Sequence, residues 1–159
     1  MEYFQDFYKQ QKDKLFSYLM RITGDYHLSM DIMQESFLRC FDKYKTKTIN
    51  NSLLYTIARN VLIDLSRKDK RKVELEQDVI DQTADQENDF RIKQEYREVL
   101  AAMNKLESDE KEILALALTE ELKYKEIALI LGINEGNVKV KVHRARLRLR
   151  GIIQNGELP

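Results

Sequence analysis

At 159 residues the chain can form one domain of ordinary size or two small ones, each with a thin core. Apolar residues make up 43% and charged residues 34%, and a single proline with five glycines leaves too little punctuation for a many-stranded fold, so an all-α protein is expected. A net charge of zero hides an uneven spread: residues 1–72 carry 14 Lys/Arg against 9 Asp/Glu, 73–90 carry 7 acids and no cation, and 91–159 carry 13 against 11.

Two basic-leaning blocks joined by an acidic strip suggest two nucleic-acid-facing modules and a solvated connector; ordinary charged surface is the plainer alternative. The expected organisation is two small helical domains, 1–72 and 91–159, joined by a flexible acidic linker at 73–90. The lone Cys40 allows no internal disulfide, and the longest apolar run, 113–118, is far too short to span a membrane. The N-terminus has neither the basic start nor the apolar stretch of a signal peptide, so a cytoplasmic protein without membrane insertion is expected.

In chain order, Phe4, Phe7, Tyr8, Gln11, Leu15, Tyr18, Leu19 and Ile22 recur at steps of three and four, predicting an amphipathic helix over 3–23 that Thr23, Gly24 and Asp25 end. A second helix is predicted over 29–44, with Met33, Phe37, Cys40, Phe41 and Tyr44 on one face. Its other face holds Asp31, Gln34, Glu35 and Leu38, which suits either plain surface or a partner. Residues 45–51 are polar and aperiodic, hence a loop. A third helix over 52–71 would bury Leu53, Leu54, Ile57, Ala58, Val61, Leu62 and Leu65. Asn60, Asp64 and Arg67 share its polar side, an arrangement open to DNA contact or to simple solvation.

The second module begins with a helix predicted over 90–103, carrying Ile92, Tyr96, Val99, Leu100 and Met103. Ser108 with Asp109 and Glu110 predicts the start of the next, with Ser108 as cap. The stretch KEIALILGINEGNV, 125–138, has the layout of a helix-turn-helix: short amphipathic helix, glycine, apolar residue, capping Asn134, second helix. Lys123 is a poor residue for the start of the first of these helices. The second runs on as KVKVHRARLRLR, 139–150, with six cations and no acid. At 100° per residue Val138, Val142, Ala145 and Leu149 form a buried stripe, with Val140, His143, Arg144 and Leu147 opposite and Lys139, Lys141, Arg146 and Arg148 on the flanks. Val140 suits a thymine methyl, Arg144 a guanine edge, and the flanking cations phosphates. A solvated basic helix, or a basic helix docked on an acidic protein, is the alternative.

Together these segments resemble the extracytoplasmic-function (ECF) sigma factors of bacterial RNA polymerase. DIMQESFLR, 31–39, is similar to the helix that binds core polymerase; LLYTIARNVLIDLSR, 53–67, to the promoter-melting helix; and the helix-turn-helix ending HRAR, 143–146, to the −35-reading module. The resemblance implies that Asp31, Gln34, Glu35 and Leu38 dock on the β′ clamp helices, with the β flap as a further polymerase contact. It implies that Asn60, with the loop 45–51, holds a base flipped from the −10 element, and that Asp64, Arg67 and the basic tail bind the adjoining strand. It implies that Lys139, Val140, His143 and Arg144 read −35, the same helix face that the angles select. An anti-sigma protein is a further implied partner. A tryptophan is usual in the family where Leu53 stands, and Val140 occupies a position that is often small and polar.

A stand-alone helix-turn-helix regulator, binding duplex DNA without polymerase, is the rival reading. An enzyme is not expected: His27 and His143 are far apart in sequence, Cys40 falls on a core face, and no phosphate loop or metal-ligand spacing occurs, so no catalytic residue, metal or cofactor is assigned.

Overall fold

The computed structural model describes residues 2–44, 49–72 and 94–155, which form seven α-helices and, among the described residues, no strand. They are α1 (Glu2–Thr23), α2 (Tyr26–Tyr44), α3 (Asn51–Lys72), α4 (Gln94–Asn104), α5 (Ser108–Ala117), α6 (Tyr124–Leu131) and α7 (Glu135–Gln154). The all-α expectation holds. The acidic connector predicted at 73–90, and residues 90–93 of the helix predicted over 90–103, lie outside the described residues.

Short polar side chains set the helix boundaries. After α1 the backbone turns at Gly24, φ +66°, whose N–H donates to the Met20 carbonyl at 2.9 Å. The Asp25 carboxylate then accepts the Leu28 N–H at 3.0 Å, so α2 begins three residues before the predicted start at 29. Asn50 does the same for α3, accepting from the Leu53 N–H at 2.9 Å. The cap of α5 is Glu107 rather than Ser108: its backbone N–H donates to the Glu110 carboxylate at 3.2 Å, and Ser108 is the first helical residue.

In the N-terminal half, α1, α2 and α3 pack around Leu15, Leu19, Ile32, Phe37, Cys40, Leu54 and Ala58. Phe37 meets Tyr8 edge to face, ring centroids 4.8 Å apart, and Ile49 closes the core from the segment ahead of α3. In the C-terminal half, α7 packs on α4, α5 and α6 through Val138, Val142, Ala145 and Ile152.

The two halves touch, and their buried residues join in one contiguous core. Helix α1 packs against α4 and α5, and α3 against α6. Along this seam Lys14 pairs with Glu121 at 2.7 Å, Arg59 pairs with Glu112, and the buried Arg21 guanidinium enters the end of α5. Tyr18 and Tyr55 stack edge to face at 5.1 Å and are almost fully buried.

Candidate nucleic-acid interface

Helix α6 opens at Lys123, whose backbone N–H donates to the Glu126 carboxylate at 3.1 Å, the half of a capping box that the third helical residue supplies. Ile127, Ala128 and Ile130 face inward. The helix stops at Gly132, φ +69°, and the Ile133 N–H folds back to the Ala128 carbonyl at 3.1 Å. Two residues on, the Asn134 side chain accepts the Asn137 N–H at 2.7 Å and starts α7. This turn fixes the direction in which α7 leaves the body of the protein.

The face predicted from helical angles is the face the structure exposes. Val138, Val142 and Ala145 are buried, Leu149 is half-buried, and Ile152 extends the stripe. On the other side Lys139, Val140, His143, Arg144 and Leu147 are exposed, with Val140 at 47%. Lys141 and Arg146 flank them. Arg148, on the flank predicted to hold phosphate, is about half exposed and pairs with α5, its Nε 3.2 Å from the Glu110 carboxylate. Its partner acid lies in a helix 38 residues away in sequence, so helical angles alone did not show it.

A second polar region lies where α2 meets α3. Asp31, Gln34, Glu35 and Leu38 come together on one exposed side of α2, with Leu38 at 61% exposure, a large value for a leucine. On α3, Asn60, Asp64 and Arg67 are all exposed. The two helices bound a cleft of about 610 Å³ lined by Asp31, Glu35, Arg39, Asp64, Arg67 and Lys68, among others. Arg39 bridges it: Nε donates to Glu35 at 2.9 Å and Nη1 stands 3.6 Å from the Asp64 carboxylate. The hydrogen bond to Glu35, with Asp64 adding to it, holds the guanidinium above its ordinary pKa. Arg39 was not singled out from the sequence, although its spacing of four from Glu35 was a signal; the reach to Asp64 depends on how α2 lies on α3. Of the loop 45–51, residues 45–48 lie outside the described residues, and Ile49 is buried rather than offered to a ligand.

Residues 7–72 match the family described as Sigma-70 region 2, and residues 96–149 that described as Sigma-70, region 4. The ECF RNA polymerase sigma factor SigM of Bacillus subtilis is 34% identical over 95% of this chain and 95% of its own length. The chain belongs to the ECF sigma factor family. SigW of the same organism is 30% identical over 92% of the chain and 87% of its length. The fold matches that of the sigma factor RpoE of Bartonella quintana, solved with the anti-sigma factor NepR, with a TM-score of 0.76, 21% identity and coverage of 97% and 98% of the two chains. It also matches CnrH, solved with the cytosolic domain of CnrY, with a TM-score of 0.72, 17% identity and coverage of 96% and 88%.

As an ECF sigma factor the protein directs promoter-specific initiation by RNA polymerase, and the polymerase rather than the sigma factor carries the chemistry. The family match favours this activity over that of a stand-alone regulator. Asp31, Gln34, Glu35, Leu38, Asn60, Asp64 and Arg67 fall in the region 2 match, and Lys139, Val140, His143 and Arg144 in the region 4 match. No helix among the described residues is long and apolar enough to cross a membrane.

Proposed function

We propose that this sigma factor divides its work between a lobe at 1–72 and a lobe at 91–159, linked through 73–90. The C-terminal lobe grips duplex DNA at −35: Val140, His143, Arg144 and Lys139 lie toward base edges, and the flanking Lys141 and Arg146 hold phosphates. The N-terminal lobe docks on the polymerase β′ clamp helices through Asp31, Gln34, Glu35 and Leu38, while Asn60, Asp64 and Arg67 form the side that meets the opened −10 strand. Binding of unstacked bases there offsets the few kcal/mol that unpairing and unstacking each base costs. The β flap is the remaining polymerase contact, and the protein works in the cytoplasm.

The observation that carries this reading is the sidedness of α7, buried along Val138, Val142 and Ala145 and exposed along Val140, His143 and Arg144, behind a turn closed by Gly132 and Asn134. The exposed Leu38 among acids on α2 supports the docking role. RpoE and CnrH were solved with anti-sigma partners; a partner of that kind, covering the faces named here, is proposed for this chain.

Transcription in vitro with core polymerase and a promoter library tests the reading. Initiating templates should share two separated elements, Arg144→Ala should shift preference in the upstream one, and Asn60→Ala should lose initiation that a pre-opened template restores. Initiation on no template would overturn it.

A further inference from the structure

Asp64 sits awkwardly for a face that meets an anionic strand. It lies one helical turn from both Asn60 and Arg67, and on the far wall of the same cleft stand two more acids, Asp31 and Glu35. The cations Arg39, Arg67 and Lys68 share this cleft with the three carboxylates, whose like charges repel. One cation lies between two of the carboxylates. Glu35 fixes the Arg39 guanidinium through Nε at 2.9 Å, and this leaves Nη1 facing Asp64 at 3.6 Å. All three side chains are about half exposed, with 46% for Arg39, 47% for Glu35 and 53% for Asp64, so the group is reachable from solvent and is not part of the core.

We infer that Arg39 is a positioning residue for promoter opening: anchored by Glu35, it neutralises and orients Asp64 so that α3 can take a negatively charged strand beside the acidic docking face of α2. This rests on the functional reading above and adds a residue to it. Arg39 acts through Asp64 and need not touch DNA. The same network joins the docking side to the melting side, since the acid that holds Arg39 belongs to the polymerase-facing set. The planar guanidinium can serve two carboxylates at once, which the point charge of a lysine does poorly.

The test uses holoenzyme assembled with saturating sigma factor, so that assembly does not limit the signal, and counts open complexes by permanganate reactivity of unpaired thymines. Arg39→Ala should lower open complexes about fivefold, the size expected for an exposed ion pair at its upper range. The loss should be greatest at low salt and shrink as salt screens the uncovered carboxylate. In an Asp64→Asn background the Arg39→Ala step should have no further effect, and Arg39→Lys should recover only part of the activity. The thermal unfolding midpoint should hold in all variants, which separates positioning from a structural role. Full activity of Arg39→Ala, or an equal loss whether residue 64 is Asp or Asn, overturns the inference while wild-type holoenzyme still opens promoters. If wild-type holoenzyme opens none, the functional reading itself fails.

Discussion

Arg21 of α1 and Thr119, just beyond α5, are joined by a hydrogen bond of 2.8 Å from Nη2 to Oγ1, across 98 residues of sequence. The same guanidinium donates to the Ala115 carbonyl from Nε at 3.3 Å and from Nη2 at 3.2 Å. That carbonyl belongs to the last turn of α5, where helices carry partial negative charge, and it also accepts from the Thr119 hydroxyl at 3.0 Å. Arg21 therefore places a buried cation where the helix end favours a positive charge. Burial pulls its pKa below the ordinary arginine value, yet a guanidinium stays charged at any working pH.

Removing that cation should weaken the seam between the halves. Arg21→Met keeps the stem's packing and loses the bonds, which for a charged donor are worth about 1–3 kcal/mol. Urea unfolding should show a loss of that size, with Arg21→Lys recovering less than half of it because one ammonium cannot match the forked geometry. An unchanged midpoint for Arg21→Met would mean that the bond does not hold the halves together.

The tyrosine pair beside the seam makes the opposite prediction. Among the described residues the buried hydroxyls of Tyr18 and Tyr55 make no hydrogen bond of ordinary geometry, so each costs desolvation with little return. Tyr18→Phe and Tyr55→Phe should leave stability unchanged or raise it by up to about 1 kcal/mol. Burial also raises both phenol pKa values above the usual 10.0 and pushes the Cys40 thiol from 9.0 up to about 11. These groups are neutral when protonated, and the unfolded chain gives up their protons first. Stability is thus complete below about pH 9 and falls as the pH climbs from there through about 11 and beyond. Alkaline unfolding curves should show this decline, and each Phe variant should flatten it.

These predictions concern the part of the molecule that the sequence showed least. The stripe Val138, Val142 and Ala145, and hence the exposed face opposite it, was legible because a single helix has a fixed period. The turn at Gly132 and the cap at Asn134 were legible because few residues accept those backbone states. The helical period leaves Tyr55 out of the core stripe of α3; it is buried where its ring meets Tyr18 of α1 beside the seam with the C-terminal half. Arg21, Arg39 and Arg59 likewise have partners from other helices, and nothing in local spacing marks a pair formed by tertiary packing. The misplaced cap on α5 has a local cause, since Glu107 and Glu110 make a reciprocal arrangement that a search for serine overlooks.

The turn ahead of α7 can be loosened without touching DNA-facing atoms. Asn134→Ala removes the side chain that accepts the Asn137 N–H, at a cost of about 1 kcal/mol. Gly132→Ala places a Cβ at φ +69°, where the backbone and not crowding penalises it, by roughly 1–2 kcal/mol. Both should lower the unfolding midpoint, and both should weaken promoter binding by holoenzyme while leaving the preferred upstream sequence as it was, because the base-facing side chains are intact. A change in sequence preference would show that the turn does more than aim the helix.

The cations of α7 should separate into two kinds when replaced singly in holoenzyme. Arg144 lies on the outermost line with Val140 and His143, so Arg144→Ala should cost about 1–3 kcal/mol of binding at the cognate upstream element and relax preference at one base pair. Arg146 lies on the flank, where a side chain meets phosphate and reads no sequence; Arg146→Ala should weaken all promoters alike and lower the salt slope of binding by about 1. Arg148 is the control, since its guanidinium is paired with Glu110. Arg148→Ala should act on stability, by up to about 1 kcal/mol for a partly exposed pair, with little change in the salt slope. Binding of holoenzyme to a set of upstream variants at several salt concentrations measures all three, and a salt slope that falls by about 1 in Arg148→Ala would show that this side chain leaves Glu110 for the DNA.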